Sequence, residues 1–343
     1  MIFSHVLAFA FIAAFLATYA ATLHVIKVMK AKGIVGQDCH KRDKPKVPEM
    51  GGLAIVLAYP LALIAAGLLY RESNPGFSFT SIIAALSVFE IAAIIGVVDD
   101  LHKLSHKIKP LLLLLAAIPL ILLRAGVPVI RLPFLTLDFT NLFGLDASLL
   151  FWLVVVPLGV TGAANVSNML AGFNGLSSGL SLIACVTLAI AASAMAQPSA
   201  AMIFAAMAGA QLAFWNFNRW PAKIFPGDVG TLSFGALLAA GIIIGRIEFI
   251  GILVMLPQIF NASMSLLSVG RFFEEKQFRK EKLSALKIEK DGEISFTRLE
   301  RPITLCKILL YKRPQAESAL VRKVYVLGIL SSLAALAVLY AWT

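Results

Sequence analysis

Residues 163–179 read AANVSNMLAGFNGLSSG. The stretch lies between segments apolar enough to cross a bilayer, yet it holds three asparagines, three glycines and no charge. Hydrocarbon cannot solvate that many amide groups, so they must face protein, water or a ligand. Asn165 and Asn168 stand three residues apart and share a face if the preceding helix runs through them. Gly172 and Gly175 then end the helix and open the backbone to close approach. Two readings stand level on this stretch alone: a polar turn with amides as interhelical glue, and a ligand site at a membrane boundary.

The composition around it decides the class. The chain has 343 residues, 59% of them hydrophobic and only 14% charged, with a mean hydropathy of +0.87. Soluble domains average about 25% charged residues, so this is an all-α polytopic membrane protein. A spanning helix needs about 20 mostly apolar residues. Ten stretches qualify, near 2–27, 51–70, 80–98, 110–125, 147–164, 176–196, 200–216, 230–246, 249–269 and 322–342. The first is too long for a signal-peptide core and is read as a retained helix. The whole, 1–343, forms one integral membrane domain with a loop insertion at 270–321.

Charge placement orients it. The net charge is +11. In a soluble chain that would point to nucleic acid; here it points to cytoplasmic loops that meet anionic headgroups or phosphorylated substrates. With alternate loops assigned to one side, every lysine and arginine except Arg71, Arg124, Arg131 and Arg246 falls on the same face. That face is cytoplasmic by the positive-inside rule, and both termini lie opposite. Cys39, Cys185 and Cys306 are widely separated and form neither a disulfide framework nor a zinc pattern.

The cytoplasmic loops also carry the unusual chemistry. The first, 36–52, reads GQDCHKRDKPKVPEMGG and ends in a glycine pair opening the second helix, with Glu49 at that helix start. There Glu49 could accept ligand donors or simply favour the helix dipole. The third opens with Asp99 and Asp100 directly after AAIIGVV, with Lys103, Lys107 and Lys109 behind them. Adjacent carboxylates beside hydrocarbon are costly unless cations offset them. In the seventh, Asp228 follows Pro226-Gly227 and heads an apolar helix. It reads as an N-cap beside an anion-binding helix start, with Phe225 placed to stack on a base. In the ninth, LKIEKDGEISF predicts a hairpin around Asp291-Gly292, and 303–311 a short interfacial helix. Glu90, inside the third apolar stretch, is a functional candidate by position; a protonated carboxyl bonded to a neighbouring helix is the preferred account. Residues 126–146 yield no reading.

Carboxylates, carboxamides, glycine turns and lysines thus gather on one membrane face. Magnesium takes oxygen ligands, often one or two carboxylates plus substrate phosphates, so the constellation predicts phosphoryl transfer between a cytosolic donor and a lipid acceptor. GVVDD, NMLAGFNGL and FPGDVGTLSFG, in that order, resemble the polyprenyl-phosphate N-acetylhexosamine-1-phosphate transferase family, glycosyltransferase family 4. The resemblance covers about residues 36–292. GQD with PEMGG, and LPQIFN before a DG hairpin, look closest to its eukaryotic and archaeal branch, which acts on UDP-N-acetylglucosamine and dolichyl phosphate. The bacterial branch using UDP-MurNAc-pentapeptide carries a histidine-rich ninth loop, and no histidine follows His106 here.

The resemblance implies a fold of ten helices and a set of roles. Asn168 and Asp228 would hold Mg2+, with Mn2+ as an alternative. Gly172, Asn174 and Phe225 would form the uridine pocket, Glu49 would shape it, and Cys39 would add backbone. Lys109 would touch phosphates, while Asp99 and Asp100 have an open role as base, lysine partner or metal positioner. Arg279, Lys280 and Lys282 are the best match to the basic residues that bind pyrophosphate and sugar. The implied partners are UDP-N-acetylglucosamine, a polyprenyl or dolichyl phosphate, membrane lipid and, as an open option, a second copy in a homodimer; nucleic acid is not among them. The implied location is the archaeal plasma membrane, or the endoplasmic reticulum in a eukaryote. The alternatives are the same chemistry on another UDP-N-acetylhexosamine, or a transporter, which would need polar residues in both halves near the midplane.

Overall fold

The computed structural model describes residues 3–105, 107–269, 286–289, 291–297, 299 and 301–342. Arg279, Lys280 and Lys282 lie outside the described residues. The chain is mostly helical. Its helices are α1 (Phe3–Ala31), α2 (Gly52–Ser73), α3 (Thr80–His102), a short α4 (Ile108–Leu122), α5 (Ser148–Met169), α6 (Leu176–Ala194), α7 (Pro198–Asn218), α8 (Gly227–Gly245), the pair α9 (Glu248–Val254) and α10 (Leu256–Val269), the short α11 (Leu305–Leu310) and α12 (Glu317–Trp342). Among the described residues, three two-stranded antiparallel ribbons decorate them: β1 (Val35–Gln37) with β2 (Lys46–Pro48), β3 (Val129–Leu132) with β4 (Leu135–Asp138), and β5 (Leu286–Ile288) with β6 (Ile294–Phe296).

Among the described residues, 8 helices are long and apolar enough to span a membrane, or 9 with the α9–α10 pair counted as one. The protein is therefore an integral membrane protein. The stretch expected at 110–125 differs from the rest. Its helix is about 22 Å long at 1.5 Å per residue, short of the roughly 30 Å hydrocarbon core, and a 3-10 turn at Leu114–Ala117 interrupts it. The stretch expected at 249–269 is bent by 70° at Met255. Pro257 follows the break; it has no N–H and its ring clashes with a helical carbonyl one turn back.

Burial ranks the helices. Of the α8 segment 89% is buried and of α7 83%, against 28% for α1 and 33% for α12. So α8 and α7 are central and α1 and α12 peripheral. α3 and α5 flank α8, and α1 and α6 flank α7. Apolar burial adds little between helices in lipid, so small residues that admit close backbone contact carry the packing. A Cβ on Gly96 would come within 2.5 Å of the Val229 Cα, and one on Gly52 within 2.3 Å of the Gly230 Cα. α3 and α2 thereby press their backbones onto the first turn of α8.

The ninth loop closes the fold. The Asp291-Gly292 turn forms as expected, with Gly292 at φ +86 and the Glu289 N–H donating to Glu293 O at 2.8 Å. The helix expected at 303–311 is Leu305–Leu310; its Leu305, Cys306 and Leu310 are buried with Ile294 and Phe296 against Leu170, Leu176 and Leu180. This unit thus sits on the far side of the 163–179 turn. Residues 126–146 hold the β3–β4 ribbon. Glu90 is half-buried and takes no hydrogen bond from a neighbouring helix among the described residues, contrary to the bonded account.

Candidate active site

The first and seventh loops are knitted together by backbone. Phe225 N–H donates to Pro48 O at 2.8 Å, Gly51 N–H to Phe225 O at 2.8 Å, and Gly52 N–H to Pro226 O at 2.8 Å. The glycine pair is required here: a Cβ on Gly51 would meet the Phe225 carbonyl at 2.8 Å. This ladder fixes the FPGD turn at the head of α8.

Asp228 lies in the first turn of α8 and is not its cap, which corrects the N-cap expectation. That task falls to Asp100 on α3, whose two oxygens accept the Asp228 N–H at 2.8 Å and the Val229 N–H at 3.0 Å. The Asp228 side chain is left to accept a 2.6 Å bond from Lys109 Nζ. Lys109 also ion-pairs with Asp99, whose other oxygen accepts the Leu104 N–H at 2.7 Å. One ammonium therefore stands between two carboxylates from two helices, with a third carboxylate directly behind.

Asn168, in the last turn of α5, lines the same cleft as Asp228. Its Oδ1 accepts from Thr231 Oγ1 at 3.0 Å, one turn along α8 from Asp228. The cleft has a volume of about 460 Å3 and its lining includes Cys39, Asn168, Gly172, Asn174, Phe225 and Asp228. Gly172 faces open space, with nothing within 4 Å of where a Cβ would stand. Gly175 makes the turn at φ +78. Asn165 is not part of this lining and donates back to Thr161 O at 2.8 Å.

Glu49 stands outside the cleft lining, packed against Gly36 beneath the β1–β2 ribbon. Burial raises its carboxyl above the ordinary range, with Lys103 pulling the other way. Asp99, Asp100 and Lys109 form the wall behind Asp228 and do not line the open volume themselves.

Several residues of the site escaped sequence reasoning. Asp38 is buried, ion-paired with Lys41, and accepts Asn174 Nδ2 at 2.9 Å. Burial alone would raise its carboxyl; the bonds from Lys41 and Asn174 outweigh that and hold it below the usual value. Glu317 at the head of α12 accepts the Asn174 backbone N–H at 2.7 Å. His40 stacks on Phe173 at 4.3 Å between centroids, both in the cleft lining. Burial lowers the His40 pKa below its ordinary value, opposed by the charge on Asp38. Asp38 sits within the GQD motif, a signal that was legible; nothing in the local sequence around Glu317 marks it.

Among the described residues, no three His, Cys, Asp or Glu side chains gather to hold a metal alone. A cation at this cleft would share the Asp228 carboxylate with a carboxamide oxygen and with oxygens of a bound molecule. That is an oxygen-only donor set, which suits magnesium.

A model of glycosyl transferase family 4 matches residues 80–246, from the start of α3 to the end of α8. A putative glycosyltransferase of Methanocaldococcus jannaschii is 34% identical over 298 residues, spanning 86% of this chain and 84% of that protein. A putative UDP-N-acetylglucosamine–dolichyl-phosphate N-acetylglucosaminephosphotransferase of Sulfolobus acidocaldarius is 30% identical over 231 residues, 67% of this chain and 68% of its own. A phospho-N-acetylmuramoyl-pentapeptide-transferase of Streptococcus thermophilus is 32% identical over 272 residues, 76% of this chain and 78% of its own. The matched segment holds every helix that builds the Asp99–Lys109–Asp228 cluster and the Asn168 wall, and with relatives similar over most of its length the chain belongs to glycosyl transferase family 4, as a transferase of that family.

Proposed function

We propose that the protein transfers N-acetylglucosamine-1-phosphate from UDP-N-acetylglucosamine to a polyprenyl phosphate of the dolichyl type, releasing UMP, with the cleft on the cytoplasmic side. The observation that carries this reading is one cleft lined by Asn168, Asn174, Phe225 and Asp228, with the Lys109 ammonium held behind it between Asp99 and Asp228. Carboxylate and carboxamide oxygens so placed suit a divalent cation, which would neutralise the phosphate oxygens of a bound nucleotide. The printed name of the Sulfolobus relative supports the donor and acceptor.

In this reading a lipid phosphate oxygen forms a bond to the β-phosphorus of the donor. The bond from that phosphorus to the bridging oxygen breaks, and UMP leaves with the electron pair. A phosphate monoester carries about −1.5 to −2 charge at pH 7, so the attack needs no strong base. Asp99 holds Lys109 in place behind the cleft, and Lys109 would meet the phosphates by exchanging its bond to Asp228 for one to a phosphate oxygen. Asp100 fixes the α8 start so that Asp228 and Thr231 face the cleft. Asn168 and Asp228 would hold Mg2+, which when bound supplies a positive charge to the diphosphate. Asn174 and Phe225 would take the uracil ring, with Gly172 leaving room beside it. The basic run at 279–282 remains the proposed contact for the sugar end.

Purified protein incubated with labelled UDP-N-acetylglucosamine, dolichyl phosphate and Mg2+ should give lipid-extractable label and an equal yield of UMP. No label in the lipid phase overturns the reading. The Streptococcus relative is named for a MurNAc-pentapeptide donor, so a parallel reaction with UDP-MurNAc-pentapeptide decides the sugar; turnover of that donor alone replaces the N-acetylglucosamine assignment.

A further inference from the structure

Asn174 is held through both of its nitrogens. Its backbone N–H donates to Glu317 Oε1 at 2.7 Å, and its Nδ2 donates to Asp38 Oδ2 at 2.9 Å. The side-chain oxygen takes no hydrogen bond among the described residues, and Asn174 lines the cleft. The two partners come from opposite ends of the chain: Asp38 from the first loop, Glu317 from the head of α12. All three are buried, at 2%, 4% and 5% exposure for Asp38, Asn174 and Glu317.

A carboxamide can turn over and exchange its donor and acceptor ends at little cost in shape. An ionised carboxylate only accepts, so an Asp beside an Asn allows one orientation alone. Asp38 is anchored in turn by Lys41 and by its own N–H to Pro45 O at 3.0 Å. The Asn174 amide nitrogen must therefore point at Asp38, and the oxygen is what the cleft receives. An acceptor presented at that place selects a ring with an N–H donor. Uracil has one at N3; the corresponding nitrogen of cytosine is an acceptor and would face the Asn174 oxygen without a proton.

We propose that Asp38 and Glu317 are positioning residues that lock the Asn174 carboxamide, Asp38 setting its orientation and thereby the preference for uracil over cytosine, Glu317 setting its height in the cleft. This rests on the nucleotide-binding role given to Asn174 above and adds to it the reason for base discrimination. It also links the ninth loop to the nucleotide, because Glu317 begins the helix on which that loop's apolar cluster packs.

The test compares UMP and CMP binding by calorimetry on the full-length protein in detergent, together with transfer from UDP- and CDP-N-acetylglucosamine. The parent should bind UMP at least about tenfold tighter than CMP, since a mismatched buried acceptor pair loses a hydrogen bond and its desolvation. Asp38→Asn offers a donor as well as an acceptor, frees the Asn174 amide to turn, and should reduce the UMP-to-CMP ratio to within about threefold. A fall in general stability would weaken both nucleotides alike and leave the ratio standing. Glu317→Gln keeps an acceptor and should preserve both affinities. Glu317→Ala should raise KM for the uridine donor by about tenfold or more with kcat changed much less, and without altering the ratio. An Asp38→Asn protein that keeps the parental ratio overturns the inference while leaving the transferase reading intact. A parent that transfers no sugar phosphate overturns that reading, and the nucleotide ratio then still decides the role of Asp38.

Discussion

The Asp99–Lys109–Asp228 cluster places opposite charges where a membrane protein can least tolerate loose ones. Each carboxylate has a separate task, and substitution should separate them. Asp228 gives its side chain to the cleft, so Asp228→Asn should cut kcat by about 100-fold or more with little change in apparent melting temperature. Retention of near-parental turnover in Mg2+ would remove Asp228 from the reacting phosphates. Asp100 instead accepts two backbone N–H groups of α8. Asp100→Ala should therefore destabilise the fold by about 1–2 kcal/mol, the usual worth of a lost helix cap, and Asp100→Asn, which keeps one acceptor, by less; equal melting for all three proteins contradicts the cap. Asp38 responds to pH in a defined window. Its carboxyl titrates below the ordinary 3.8 in the folded protein, so its contribution is complete above that value and is lost only as pH falls through the lower, folded-state value. Nucleotide affinity lost through Asp38 should consequently not change between pH 5 and 8, and a midpoint there would have to come from another group.

At the scale of elements, the close approach of α2 and α3 to the start of α8 carries the site. Gly52 touches Gly230 with no room for a methyl group, and Gly96 meets Val229 in the same way. Gly52→Ala must push the two helices apart and should cost about 1–3 kcal/mol together with transfer activity, because the FPGD turn is tied to residues 48–52. Gly76→Ala, where nothing lies within 4 Å, is the matched control and should behave as the parent. Parental melting in Gly52→Ala would show that the contact is softer than this geometry. The bent α9–α10 pair and the short α4 are the elements that depart from simple spanning rods. A 70° bend followed by Pro257 interrupts the first and a 3-10 turn at Leu114–Ala117 the second, in runs that hydropathy alone reads as continuous.

For the whole molecule, the charge asymmetry predicts one catalytic face. Cys39 is exposed in the cleft lining, whereas Cys185 and Cys306 are buried. Burial also pushes the Cys306 thiol up to about 12, so it supplies almost no reactive thiolate at pH 8. In sealed inside-out vesicles an impermeant maleimide at pH 8 should label Cys39, while the thiol introduced by Arg131→Cys should label only from the opposite side. Both thiols reacting from one side would overturn the orientation. Much of this architecture was legible in the chain itself. Long apolar runs fixed the class, because an unsatisfied backbone in lipid leaves only a helix. The motifs around Asn168, Asp99 and Asp228 were legible too, since polar groups beside hydrocarbon stand out against it. Sequence could not show that Asp100 caps α8 while Asp228 faces the cleft, for both are carboxylates at a helix boundary and only the crossing of α3 over α8 separates them. Nor could it pair Asp38 and Glu317 with Asn174. Those contacts join residues far apart in the chain, and hydrogen-bond partners at such separation are set by how helices pack, which periodicity and composition do not encode.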